Sequence, residues 1–182
     1  KLFKHEVHAL WRSMMPIWAM LGGFSVLGRL IQLFEQDSVA YNIISGSAAF
    51  FYAVSLMASI VCPFVFAVTR FHRNLFSGEG YLSFTLPVTT EQHILVKLLV
   101  AVITELTTLI AAALSVIIVT FGEMTVEIGK AIWYLFKLSM REWGAHLPLY
   151  MIEAGIGLIV LFAVETMLFY TCICIGQQSK KN

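Results

Sequence analysis

The sequence predicts an all-α integral membrane protein with about four transmembrane helices, a short helix in a cytoplasmic loop and an amphipathic helix at the outer surface. Three observations lead there. Of 182 residues, 59% are hydrophobic and 13% charged, about half the charged share of an ordinary soluble domain. Apolar runs that meet the about 20 residues a bilayer-spanning helix needs occur four times. The runs lack the ten-residue alternating segments of a transmembrane β-barrel. A net charge of +1 gives no basic footprint, so no nucleic-acid partner is expected.

The first span is predicted over about 11–34. Lys1 and Lys4 precede it as in a secretory signal, but "MPIWAMLGGFSVLGRLIQLF" is long and offers no clear small-residue cleavage site. It reads as a retained span, and the bare Lys1 predicts that an initiator end is missing. Gly22, Gly23 and Gly28 are expected to allow close helix packing, and Arg29 to snorkel to the outer surface. The second span, about 45–69, contains Pro63, which predicts a kink. The third covers about 93–121 and the fourth about 147–175. All belong to a single transmembrane domain, 1–182.

Positive charge sets the orientation. Lys1, Lys4, Arg12, Arg70, Arg73, Lys97, Lys180 and Lys181 fall at one set of span ends, against Arg29, Lys130, Lys137 and Arg141 at the other. The richer side is expected to be cytoplasmic, with both termini there and Arg70, Arg73 and Lys97 at the headgroups. Between spans three and four, Ile128, Ile132, Leu135 and Leu138 recur at helical spacing opposite Glu127, Lys130, Tyr134, Lys137 and Arg141. The segment 122–146 is therefore an outer interfacial helix. It is either a connector packed on the spans or a part that meets substrate.

No catalytic constellation emerges. His5, His8, His72, His93 and His146 are scattered, and no ligand set or Walker A pattern appears, so the chain itself is expected to be neither an enzyme nor a cofactor protein. Cys62, Cys172 and Cys174 read as buried free thiols. Glu105 and Glu165 each lie about ten residues inside a span, near 15 Å deep, and Glu153 lies nearer the outer end. A carboxylate exposed to hydrocarbon costs about 2.5–3.5 kcal/mol even on insertion scales, so all three should face protein or water. They form a polar pathway for substrate or protons, or they are hydrogen-bonded across helix interfaces near Thr104, Thr107, Thr108 and Thr166.

The loop 70–92 stands apart. Gly78 and Gly80 permit a sharp turn, Glu79 to Leu86 can form about two helical turns, and Pro87 blocks continuation. Thr89 and Gln92 have capping-box spacing for the next helix. Tyr81, Phe84 and Leu86 would then face water, which suits a docking knob for a cytoplasmic partner, or they rest on lipid.

These residues carry a resemblance. Glu79-x-x-Leu82, Leu86-Pro87-Val88 and Leu95-x-Lys97-Leu98 resemble the cytoplasmic loop of type-2 ABC transporter permeases. Arg70 to Phe76 and Glu79 to Pro87 are most similar to the small bacterial ones, and "KLFKHEVHALWRSMMPIW" resembles their amphipathic entry helix. Together the stretches cover about a quarter of the chain. The resemblance implies the membrane subunit of an ATP-driven exporter in a bacterial cytoplasmic membrane. Its coupling helix, with Asn74, Glu79, Gly80, Tyr81, Leu82, Phe84, Leu86 and Pro87, would engage separate ABC ATP-binding subunits that hold ATP and Mg. A second permease copy or paralogue would complete the assembly, and the transported substrate stays open. Six spans are usual in that family, so either two more lie beyond Asn182, which is the expectation, or this is a shortened form. Two other classes compete: a non-transporting sensor or assembly module, and a proton-coupled carrier using the buried glutamates.

Overall fold

Each predicted span is a near-continuous apolar run long enough to cross a bilayer, and each becomes a helix. The computed structural model describes residues 2–34, 38–76 and 90–179. Five α-helices fill them: α1 (Leu2–Leu33), α2 (Val39–Phe76), α3 (Thr90–Val119), α4 (Glu123–Trp143) and α5 (Leu147–Ser179), with a 3-10 turn at Gly144–His146. Among the described residues there is no strand. Among the described residues, four helices are long and apolar enough to cross a membrane, as in a multi-pass membrane protein. The expected coupling helix, Glu79 to Pro87, lies outside the described residues, as does Thr89 of the capping pair.

The helices outrun the apolar runs that announce them. α2 has 38 residues, about 57 Å at 1.5 Å per residue, against about 30 Å of hydrocarbon. Helical hydrogen bonds are satisfied internally in lipid and in water, so nothing stops the backbone where the apolar run stops. α1 and α2 also continue through Pro16 and Pro63.

The core is built from stripes. On α1, Glu6, Leu10, Met14, Leu21 and Ser25 are buried; on α2, Ser55, Ser59, Pro63, Ala67 and Phe71. Steps of four residues, and one of seven on α1, place each set on one face. α3 answers with Lys97, Ala101, Thr104, Thr108 and Ser115, and α1, α2 and α3 pack on one another. α5 rests on α2 and α3 through Thr166 and Tyr170; Tyr170 stacks on Phe71 with centroids 3.8 Å apart, and Phe169 meets Phe64 edge-on at 4.4 Å.

Small hydroxyl residues, not glycines, bring these helices close. A β-carbon at Gly22, Gly23 or Gly28 would meet no atom within 4 Å, so the close packing expected of them is not made within this chain. Ser and Thr do that work because each returns its hydroxyl to its own helix. Ser55 donates to the Tyr52 carbonyl at 2.8 Å, Ser59 to Leu56 at 2.7 Å, Thr104 to Val100 at 2.8 Å and Ser115 to Ala112 at 2.8 Å. The polar cost of burial is thus met locally. Other hydroxyls take bonds that cross between helices: Trp18 Nε1–H donates to Thr108 Oγ1 at 3.1 Å, and Tyr52 and Ser115 share a hydroxyl bond at 3.1 Å.

At the far end, α3 turns into α4 at Gly122, whose φ of 127° suits glycine alone. The Arg29 guanidinium lies where a β-carbon there would project, 3.2 Å away, so Arg29 packs on this turn. α4 itself is exposed almost throughout; Ile132 and Trp133 are 62% and 67% accessible. Among the described residues, most of its apolar face is uncovered by the spans, and it meets α5 where Trp143 packs edge-on against Tyr150 at 5.3 Å.

Candidate functional site

Two polar constellations break the apolar interior. The first lies where the start of α1, the end of α2 and the start of α3 meet. Glu6 follows the same stripe as Leu10 and Met14, so helix geometry turns its carboxylate inward. There Glu6 Oε2 accepts from Arg70 Nε at 2.8 Å and Oε1 from Lys97 Nζ at 3.0 Å. Glu6 and Lys97 are only 8% and 7% exposed. Lys97 therefore does not snorkel to the headgroups as expected, because a buried carboxylate offers its ammonium a charge-assisted bond that burial strengthens. Arg70 is shared between Glu6 and the surface, with its side chain 23% exposed. Arg73 remains exposed near the end of α2. The Asn74 backbone belongs to that helix.

The same end carries the end of α5, where Gln177 Nε2 lies 2.9 Å from His72 Nε2. The spans thus alternate in direction, and the beginning of α1 and the end of α5 share one face of the bundle with the end of α2 and the beginning of α3.

The second constellation is intramembrane. α2, α3 and α5 border a half-open pocket of about 130 Å³, lined by Pro63, Phe64, Glu105, Thr108, Phe162 and Glu165 among others. Glu105 is half-buried. Thr166 Oγ1 lies 3.4 Å from Glu105 Oε1 but 2.9 Å from the Phe162 carbonyl. With one hydroxyl proton to give, the shorter bond holds it, and Glu105 gains little. Glu105 Oε2 is buried without a partner. Glu165 joins the same cavity from the exposed face of α5, whereas Glu153 stands on the exposed surface of α5 and does not line it. The chain brings two of the three acids together.

Of the remaining residues singled out from sequence, Glu79, Gly80, Tyr81, Leu82, Phe84, Leu86 and Pro87 fall outside the described residues. Cys62, Cys172 and Cys174 are free, but Cys172 and Cys174 are exposed, not buried as expected. No group of three His, Cys, Asp or Glu side chains that could hold a metal forms among the described residues.

The chain matches no protein-family model, no curated protein and no solved structure.

Sequence reasoning missed Glu6. The signal was present: an acid in register with Leu10, Met14 and Leu21 must enter a helix interface, and a buried acid requires a cation. Trp18 and Tyr52, which bridge α3 through Thr108 and Ser115, carried no comparable signal.

Proposed function

We propose that the chain is the membrane subunit of an ATP-driven bacterial exporter, set in the cytoplasmic membrane with its N terminus inside and moved by separate ATP-binding subunits through the segment 77–89. The observation that carries this reading is how that segment is rooted. The helices on either side of it, α2 and α3, are joined through Arg70 and Lys97 to one carboxylate on α1. A push on the loop is thereby shared among three helices rather than absorbed by a hinge. The resemblance of residues 70–76 and 79–87 to a coupling helix supplies the partner: an ABC ATPase carrying ATP and Mg, with a second permease copy or paralogue beside this one.

In this reading Glu79, Tyr81 and Phe84 make the contact with the ATPase. Replacing each by Ala in the reconstituted transporter should leave ATP hydrolysis running while substrate export falls by tenfold or more. Export that stays proportional to hydrolysis in all three variants overturns the reading.

One observation favours a second reading, a proton-coupled carrier. Glu105 Oε2 has no partner and lines a cavity shared with Glu165, so the pair offers an acceptor for a proton or a cationic group. Transport by the chain in vesicles without any ATPase, abolished by combining Glu105→Gln and Glu165→Gln, would select it. Unaltered transport in that double variant removes both acids from the pathway under either reading.

A further inference from the structure

The outward face of α1 changes character at Arg12. Lys4, His8 and Arg12 follow one another at four-residue steps on the side opposite the buried Glu6, Leu10 and Met14, and all three are exposed. Beyond Arg12 the same face continues as Met15, Ala19, Val26 and Leu30, which are exposed too. One side of a single helix is thus basic for three turns and then apolar for the length of a span.

The depth of the change follows from the charges. Arg12 and Arg29 bracket residues 13–28, which carry none. Sixteen helical residues rise about 24 Å, a little short of the about 30 Å of hydrocarbon, so two long arms reaching outward set Arg12 at one headgroup boundary. His8 then stands about 6 Å and Lys4 about 12 Å further out along the same axis. Nothing on α1 offsets the positive charge of this stripe. Glu6 is the sole acid of the helix, and it is turned inward, where Arg70 and Lys97 engage it. Among the described residues no carboxylate engages Lys4 or Arg12.

We infer that the first three turns of α1 bind the headgroups of anionic phospholipids, with Arg12 at the phosphate layer, Lys4 as a second cation above it and the acyl chains of the same lipids along Met15 and Ala19. The continuity of the face decides for a lipid over an acidic protein, because the surface directly below the basic stripe is apolar, bare and at membrane depth. The uncompensated charge decides for an anionic lipid over a zwitterionic one. The inference requires neither an ATPase nor a transported substrate, so it stands apart from the exporter reading.

Lipid competition read at Trp11, next to Arg12 on α1, tests it. The full chain with Trp11 as its sole tryptophan (Trp18, Trp133 and Trp143→Phe) is reconstituted in phosphatidylcholine mixed with phosphatidylglycerol brominated high on its acyl chains. Quenching of Trp11 should exceed the brominated lipid's share of the mixture, corresponding to a preference of tenfold or more. Arg12→Gln should lower that preference about fivefold, the effect of one cation near a headgroup, and adding Lys4→Gln should bring it close to equality. Both side chains are exposed, so these variants leave the core untouched. Lys4→Arg with Arg12→Lys keeps the charge and should keep the preference. Quenching in simple proportion to the mixture overturns the inference, and so does an undiminished preference in the double Gln variant. A Trp11 that no brominated lipid quenches would mean that protein, such as a second copy of the chain, covers this face, and overturns the lipid as its occupant. A preference erased by millimolar glycerol phosphate at constant ionic strength would assign the stripe to a free anion and overturn it as well.

Discussion

Glu6 holds two cations that would otherwise stand unpaired in a helix interface. Removing one partner of a buried pair costs about 3–5 kcal/mol, because the survivors keep their desolvation penalty. Glu6→Gln should therefore lower the thermal midpoint sharply in detergent or nanodiscs. Glu6→Gln combined with Lys97→Met should be less destabilised than the two single losses added, since the double variant strands only Arg70. Additive losses would show that the three groups do not act as one network. The Trp18–Thr108 bond is a smaller matter. Interhelical hydrogen bonds in membrane bundles average about 0.6 kcal/mol, so Trp18→Phe should cost several-fold less than Glu6→Gln, a ranking the same melts check. Residue-level reading of the sequence found Glu105 and Glu165 because an acid within an apolar run is conspicuous. It missed Glu6 because charged residues crowd the first dozen positions, and the one that turns inward is betrayed only by its register with Leu10 and Met14.

Helices were legible at the scale of elements for a simple physical reason: apolar length and absence of alternation leave no other structure that satisfies its backbone in lipid. What covers each helix was less legible. Gly22, Gly23 and Gly28 look like packing residues in a string of letters, yet they meet no neighbouring helix within the chain. Gly122 is the glycine with a conformational duty. At φ 127° beside Arg29, Gly122→Ala combines backbone strain of about 1–3 kcal/mol with a displaced guanidinium, and should lower stability accordingly. An unchanged melt would mean that the α3–α4 turn has another conformation open to it. For α4, whose exposed apolar stripe sets Ile132 and Trp133 outward, the amphipathic pattern argues for the membrane interface. In a variant keeping Trp133 as its sole tryptophan (Trp11, Trp18 and Trp143→Phe), quenchers at the lipid headgroup should outdo quenchers at the chain end. The reverse order would bury α4 in the hydrocarbon.

For the whole molecule, an ion cluster joins three helices at the end where α2 stops and α3 starts, while α5 touches them through few side chains. In the proposed exporter such a frame would pass a force from the loop between α2 and α3 into the bundle, where the Glu105–Glu165 cavity lies between α5 and the rest. The orientation, the ATPase and the exporter role come from charge bias and from the loop residues, not from the packing, so they stand or fall on a partner. The most direct measurement is affinity purification of the tagged chain from the membranes of the organism that encodes it, beside a Glu79→Ala and Phe84→Ala double variant. The account predicts that an ATP-hydrolysing subunit with a Walker A motif accompanies the unmodified chain in near-stoichiometric amount and is lost from the variant. A chain that emerges with no ATP-binding protein, or a variant that retains one undiminished, would contradict it.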